Sequence, residues 1–300
     1  MYFPYLRGRQ FELIALRELV EKGVLSSRIT PIIELVKTIE AYGENSKQLA
    51  IITNPKVGSF SSDAREEKNQ KLKESLSASL KENNNILYMY LLRASSKPEK
   101  FIARHADNMG TICDDKDAIS VYEAYFAETD VKYNLIPDES GFRRKISKNR
   151  VVLTDKFNKL DRNNDYIEVD DEPFSEDHLY YQEDGYVGFA DYSVVGEEYN
   201  ETGFAPYAVA IHIVYFDKDD SLRVKHFVSD SNDDISDPAG KFQEALSKLV
   251  AWNETKQLDT VAMKEFEDLY HREAYPGLGT VKKLSIMHHL ELIGRYLDKE

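Results

Sequence analysis

Eight short apolar runs punctuate the first two thirds of the chain, and each stops at a charged or strongly polar residue. They read YFPYL-Arg7, TPII-Glu34, LAIIT-Asn54, ILYMYLL-Arg93, GTIC-Asp114, YNLIP-Asp138, VVLT-Asp155 and YVGFA-Asp191. Runs of this length that are apolar throughout predict strands buried on both faces, and the helical or polar stretches between them predict the crossovers of a parallel sheet. Eight such βα units predict a (β/α)8, TIM-like barrel. In that fold the carboxyl ends of the strands surround one mouth, so Arg7, Glu34, Asn54, Arg93, Asp114, Asp138, Asp155 and Asp191 are expected to converge there.

The stretches between the runs fill in the rest. Phe11, Ile14, Ala15 and Leu19 recur at helical spacing from Gln10 to about Lys22, where Gly23 ends the helix. Further helices are expected over about Asp63 to Lys81, Asp117 to Glu128 and Gly141 to Lys148. The acidic stretch 161–184 reads as a loop or insertion. Ala208 to Phe216 and Leu222 to Val228 flank the turn-forming Asp217-Lys218-Asp219-Asp220, which predicts a β-hairpin over 208–228. Helices over about Ala239 to Asn253, Val261 to Tyr270 and Thr280 to Leu297 make residues 239–297 a helical carboxyl-terminal region. The whole, 1–300, is expected to be one barrel domain with insertions, a size that such barrels reach.

Composition narrows the function classes. A charged fraction of 31% and a net charge of −14 describe an acidic surface that repels phosphate backbones, which argues against nonspecific nucleic-acid binding. The single cysteine, Cys113, cannot form an intramolecular disulfide and suits a reducing compartment. No apolar run approaches the roughly 18 residues that span a bilayer. The amino terminus also lacks the basic region and apolar core of a signal peptide. Cytoplasmic residence with no membrane association is the default expectation.

The strand-end residues carry the candidate chemistry. Glu34, Asp114, Asp138, Asp155 and Asp191 are candidate catalytic carboxylates, and an oxygen-rich set of this kind suits Mg²⁺ or Mn²⁺. Arg7, Arg9 and Arg93 are candidate anion clamps. Such a mouth could hydrolyse a phosphate-bearing substrate with metal assistance, or bind a small anionic ligand without chemistry, or simply balance charge where strands meet loops. Gly279, Thr280 and Lys282 at the start of the last helix could offer amide donors and charge to an anion, with Thr280 as an ordinary helix cap the alternative. A shared anion site formed with Arg7 and Arg9 is a further expectation. Asp161-x-Asn163-x-Asp165 with Glu172 matches four ligand positions of a calcium loop, but Tyr166 stands where the loop needs glycine. His288 and His289 point about 100° apart on a helix and are expected to pack rather than share a metal. Cys113 and Trp252 read as core residues.

Tyr2-Phe3-Pro4-Tyr5-Leu6-Arg7-Gly8-Arg9-Gln10, continuing to Glu18, resembles the opening of the "beta protein" family of bacteria and phages. Pro31 to Glu34, Asn54-Pro55, Gly188 to Tyr192 and Tyr275-Pro276-Gly277-Leu278-Gly279-Thr280-Val281-Lys282-Lys283 extend the resemblance over nearly the whole chain. The family has no settled activity. The resemblance implies a gene placed beside a nuclease-like partner in mobile or phage-defence regions, hence a two-component system with that partner protein. A noncatalytic sensor or scaffold, with tyrosine-rich interaction surface, is the alternative to the hydrolase.

Overall fold

The computed structural model describes residues 1–34, 48–54, 85–198 and 206–299. Pro55 and the helix expected over Asp63 to Lys81 lie outside the described residues. The chain divides into two compact units. One comprises Met1–Leu13, Ser27–Asp155 and Asp177–Tyr192, the other Ile14–Ser26, Lys156–Glu176 and Ser193–Glu300.

The first unit is a closed, all-parallel, eight-stranded barrel. Its strands are β1 (Tyr2–Leu6), β2 (Ile32–Glu34), β3 (Leu49–Ile52), β4 (Ile86–Leu91), β5 (Met109–Ile112), β6 (Tyr133–Ile136) and β7 (Arg150–Leu153). The chain then leaves to make β8 (Asp171–Ser175) in the second unit and returns for the closing strand, β9 (Gly188–Asp191). β9 pairs with β7 on one side and with β1 on the other. All eight strands match the apolar runs.

Alternation fixes which residues fill the barrel. Phe3 and Tyr5, Ile32, Ala50 and Ile52, Leu87, Met89 and Leu91, Ile112, Leu135, Val151 and Leu153, and Ala190 with Tyr192 form one buried cluster. Successive strand residues face opposite sides, so these inward positions leave Tyr88 and Tyr90 on the outer face of β4. There Tyr88 stacks on His105 at 4.0 Å and Tyr90 meets Phe101 at 4.9 Å, which seats the helix Glu99–His105 on the sheet. Closure is tight at β9. A Cβ on Gly188 would stand 2.8 Å from both the Met1 carbonyl oxygen and the Phe3 ring, so only glycine lets the strands meet.

The second unit is built on a three-stranded antiparallel sheet, ordered β10 (Ala210–Phe216), β11 (Leu222–Val228), β8. The hairpin turns where the acidic cluster predicts, with the Asp217 N–H donating to the Ser221 carbonyl at 2.8 Å and Asp220 at φ 63°. The stretch 161–184 is not the plain loop that its acidity suggests, because Asp171–Ser175 pairs with β11 and short helical turns flank it. As the edge strand of the sheet it tolerates Pro173, which is exposed. The residues resembling a calcium loop form a 3-10 turn, Asn163–Asp165, running into the helix Tyr166–Val169.

Three helices follow, Pro238–Lys256, Val261–His271 and Leu278–Leu297. The first is capped by Asp237, whose carboxylate accepts from the Gly240 N–H at 2.8 Å. The second is capped by Thr260, accepting from the Met263 N–H at 3.3 Å. The last begins at Leu278 behind Gly277, whose φ of 87° suits glycine alone. That start displaces Thr280 from the expected cap position into the first turn, where its hydroxyl donates to the Pro276 carbonyl at 3.0 Å. His288 is fully buried, its Nε2–H donating to the Val214 carbonyl at 2.7 Å and its Nδ1 accepting from the Thr260 hydroxyl at 2.8 Å. Burial holds this imidazole neutral and pushes its pKa down to about 4. His289 turns to Ser193 Oγ at 2.8 Å and packs against Phe174. Trp252 packs edge-on against Tyr215 and Phe227, the anchoring role its place on a helix suggests.

Candidate functional site at the barrel mouth

The polar residues past the strand ends separate by the same alternation. Arg7 lies two residues beyond inward-facing Tyr5, Glu34 two beyond Ile32, Asn54 two beyond Ile52, Arg93 two beyond Leu91, Asp114 two beyond Ile112 and Asp155 two beyond Leu153. These share the interior parity. Asp191 does not, since its neighbours Ala190 and Tyr192 both face inward.

A buried charged cluster is built at the ends of β1, β2 and β9. Glu34, fully buried, accepts from Arg7 Nη1 and, at 2.8 Å, from the Tyr5 hydroxyl. Arg7 also reaches the Tyr5 oxygen at 3.4 Å, and its guanidinium stands 4.9 Å from the Tyr5 ring centre and 5.4 Å from that of Tyr192. The two tyrosine rings meet at 4.8 Å. Burial opposes the Arg7 charge, but Tyr5, Glu34 and Tyr192 more than offset it, so the guanidinium holds its proton more tightly than usual. Burial, reinforced by the Glu34 carboxylate, drives the Tyr5 phenol well above its ordinary range. The result is a buried ion pair packed against two aromatic faces.

Asn54 and Arg93 form a second polar step. The Asn54 side chain bonds the backbone of Leu91, and Arg93 Nη1 donates to the Asn54 carbonyl at 3.4 Å. Asp114 is half-buried and Asp155 exposed at the ends of β5 and β7. Cys113 beside Asp114 is buried, and its thiol is pushed up to about 12 by burial, then by Asp114 and Asp115, which leaves it without nucleophilic character.

Asp191 and Asp138 do not join this cluster. Asp191 faces outward and accepts from the Tyr2 hydroxyl at 2.7 Å, and this buried bond ties the closing strand to the first. Asp138 is exposed, pairs with Arg143 and accepts from Tyr186 at 2.8 Å. The Arg9 backbone N–H donates to Glu12 at 3.1 Å, the reciprocal half of a helix-capping arrangement. Gly279, Thr280 and Lys282 lie in the first turns of the last helix, in the second unit. Among the described residues no group of three or more His, Cys, Asp or Glu side chains could hold a metal ion. Tyr5 and Tyr192 are the members that sequence reading missed. Each lies in an apolar run or just after one, and only their inward parity marks them.

Among the described residues no helix is long and apolar enough to cross a membrane. Compared with models of protein families, with curated proteins and with solved structures, the chain finds no significant match.

Proposed function

We propose that the barrel mouth recognises a small anionic ligand and that the chain serves as a ligand-sensing subunit, not as a metal-dependent hydrolase. The observation that carries this reading is the buried Arg7, fixed by Glu34, Tyr5 and Tyr192 at the carboxyl ends of β1, β2 and β9. A guanidinium already oriented against aromatic faces loses little freedom on engaging a carboxylate or phosphate, and the incoming anion competes with Glu34 for it. Exchange of Glu34 for an incoming anion is a sensing step that needs no bond chemistry. On the strength of the resemblance in the opening and closing motifs, the protein informed by this step is a nuclease-like partner in a mobile-element or phage-defence setting.

Thermal unfolding with a panel of phosphate- and carboxylate-bearing metabolites tests the reading. A ligand should raise the melting temperature of wild type and lose at least most of that effect in Arg7→Lys, which keeps the charge but not the planar fork. A panel that stabilises both proteins equally, or neither, counts against it. Co-expression with the nuclease-like protein and size-exclusion chromatography tests the partner.

A second reading keeps Asp114 and Asp155 as catalytic carboxylates of a phosphate-ester hydrolase, because both are accessible and share the parity of Arg7. It requires turnover dependent on Mg²⁺ or Mn²⁺ and lost in Asp155→Asn.

A further inference from the structure

We propose that His212, His226 and Glu172 form an acid-sensitive latch across the three strands of the second sheet, closed while both imidazoles are neutral and forced open when both are protonated. The three residues sit one on each strand: His212 on β10, its register partner His226 on β11, and Glu172 on β8. His212 Nδ1 and His226 Nδ1 are 2.8 Å apart, and His226 Nε2 is 3.2 Å from Glu172 Oε1.

Hydrogen-bond chemistry assigns the protons. A carboxylate only accepts, so His226 carries its hydrogen on Nε2 and presents a bare Nδ1. His212 must then donate from Nδ1. The row reads His212 N–H to His226, His226 N–H to Glu172, with a single hydrogen between the two rings. One added proton can be absorbed: His226 becomes an imidazolium facing Glu172, and His212 shifts its hydrogen to Nε2. A second cannot, because two N–H groups would then point at each other across 2.8 Å.

The surroundings set the direction. His212 is half-buried, in contact with the rings of Phe157, Tyr166 and His226. Its proton affinity is lowered to about 3, by burial first, then by His226 and Lys282. His226 is lowered too, by burial, against the opposing pull of Glu172, Asp171 and Asp170. Those carboxylates are themselves engaged: Asn158 donates to Glu172 at 3.1 Å, Arg223 and Tyr215 hold Asp171, and Lys225 pairs with Asp170. Tyr166, in ring contact with both imidazoles, stays a neutral phenol raised to about 12.

Imidazoles whose folded pKa lies below the unfolded 6.5 give stability that is complete above that value and is lost as pH falls beneath it. Each such group costs roughly tenfold in the closed-to-open ratio per pH unit until its folded pKa is reached. The opening is local to the latch, which is what distinguishes it from general acid unfolding.

Hydrogen–deuterium exchange of the full chain at pH 7 and pH 5, corrected for intrinsic chemistry, tests the latch. Amides of 171–175 and 210–228 should exchange at least tenfold faster at pH 5, while those of 133–136 and 150–153 in the barrel change less than threefold. His212→Asn and His226→Asn should flatten the response, whereas His288→Asn, which removes a buried neutral imidazole outside the latch, should leave it. Equal acceleration in the barrel strands, or an unflattened response in His212→Asn, overturns the proposal. If either variant fails to fold, nitrogen-15 spectra of the wild-type histidines decide at pH 7: one ring must show hydrogen on Nδ1 and its neighbour on Nε2, and two Nε2–H rings overturn it.

Discussion

The Asn54 side chain and the Leu91 backbone exchange two hydrogen bonds, the amide donating to the carbonyl at 2.8 Å and Oδ1 accepting from the N–H at 2.9 Å. A side chain thereby extends the ladder between β3 and β4 past Ile52, where the β3 backbone has ended. Asn54→Ala should cost about 1–3 kcal/mol in urea unfolding, the desolvation of groups left without partners. Asn54→Asp keeps the acceptor and loses the donor, and should fall between. A loss in Asn54→Ala below about 0.5 kcal/mol would show that water replaces the amide.

The Arg7–Glu34 pair should behave as a unit. Removing either partner strands a buried charge, so Arg7→Met and Glu34→Met should each destabilise by about 3–5 kcal/mol, and the double variant by much less than the sum. Additive losses would mean that the two groups act independently despite their contact.

Alkaline titration should be delayed at several phenols, among them Tyr2 and Tyr5. Tyr2 and Tyr5 are buried and held beside Asp191 and Glu34, and both are raised well above 10.0. Their folded-state pKa exceeds the unfolded one, so the stability they confer is whole below about pH 10 and lost as pH rises beyond it. Absorbance at the tyrosinate band should rise for the exposed phenols first, with a late step coincident with loss of near-ultraviolet circular dichroism. Tyr2→Phe should shrink that late step.

Two glycines should respond oppositely to alanine. Gly188→Ala drives a methyl into the Met1 backbone and the Phe3 ring and should cost about 1–3 kcal/mol. Gly141→Ala, in the helix Ser140–Lys145 with open space around it, should be neutral or stabilising by up to about 1 kcal/mol. Thermal melts of the pair check both.

The strands were legible because an all-parallel barrel buries both faces of each, and a continuous apolar run is the direct imprint of that burial. The same property hid the inward parity. With Ala190, Asp191 and Tyr192 in succession, nothing in the run says whether the carboxylate or the phenol faces the interior, and the structure assigns that place to Tyr192. Edge strand β8, DEPFS, has too few apolar residues to be read as a strand, since only Phe174 and Ser175 are buried. The His212–His226 pairing, by contrast, follows from the predicted hairpin: once Phe216 opposes Leu222, counting back four and forward four brings the two histidines together. That step needed only the turn.

The excursion of the chain between β7 and β9 also fixes an order of events during synthesis. All eight barrel strands have been made once Asp191 is complete, so the barrel can close while the residues of β10 and β11 are still to be translated. β8 is made before its partner, which follows on the order of fifty residues later, a delay of several seconds at about 5–20 residues per second. For that time it is an unpaired strand open to a neighbouring nascent chain. Asp171, Glu172 and Pro173 are the residues that make such a strand a poor template for association, through repulsion and a missing N–H, so the polarity that disguises β8 in the sequence also guards it on the ribosome.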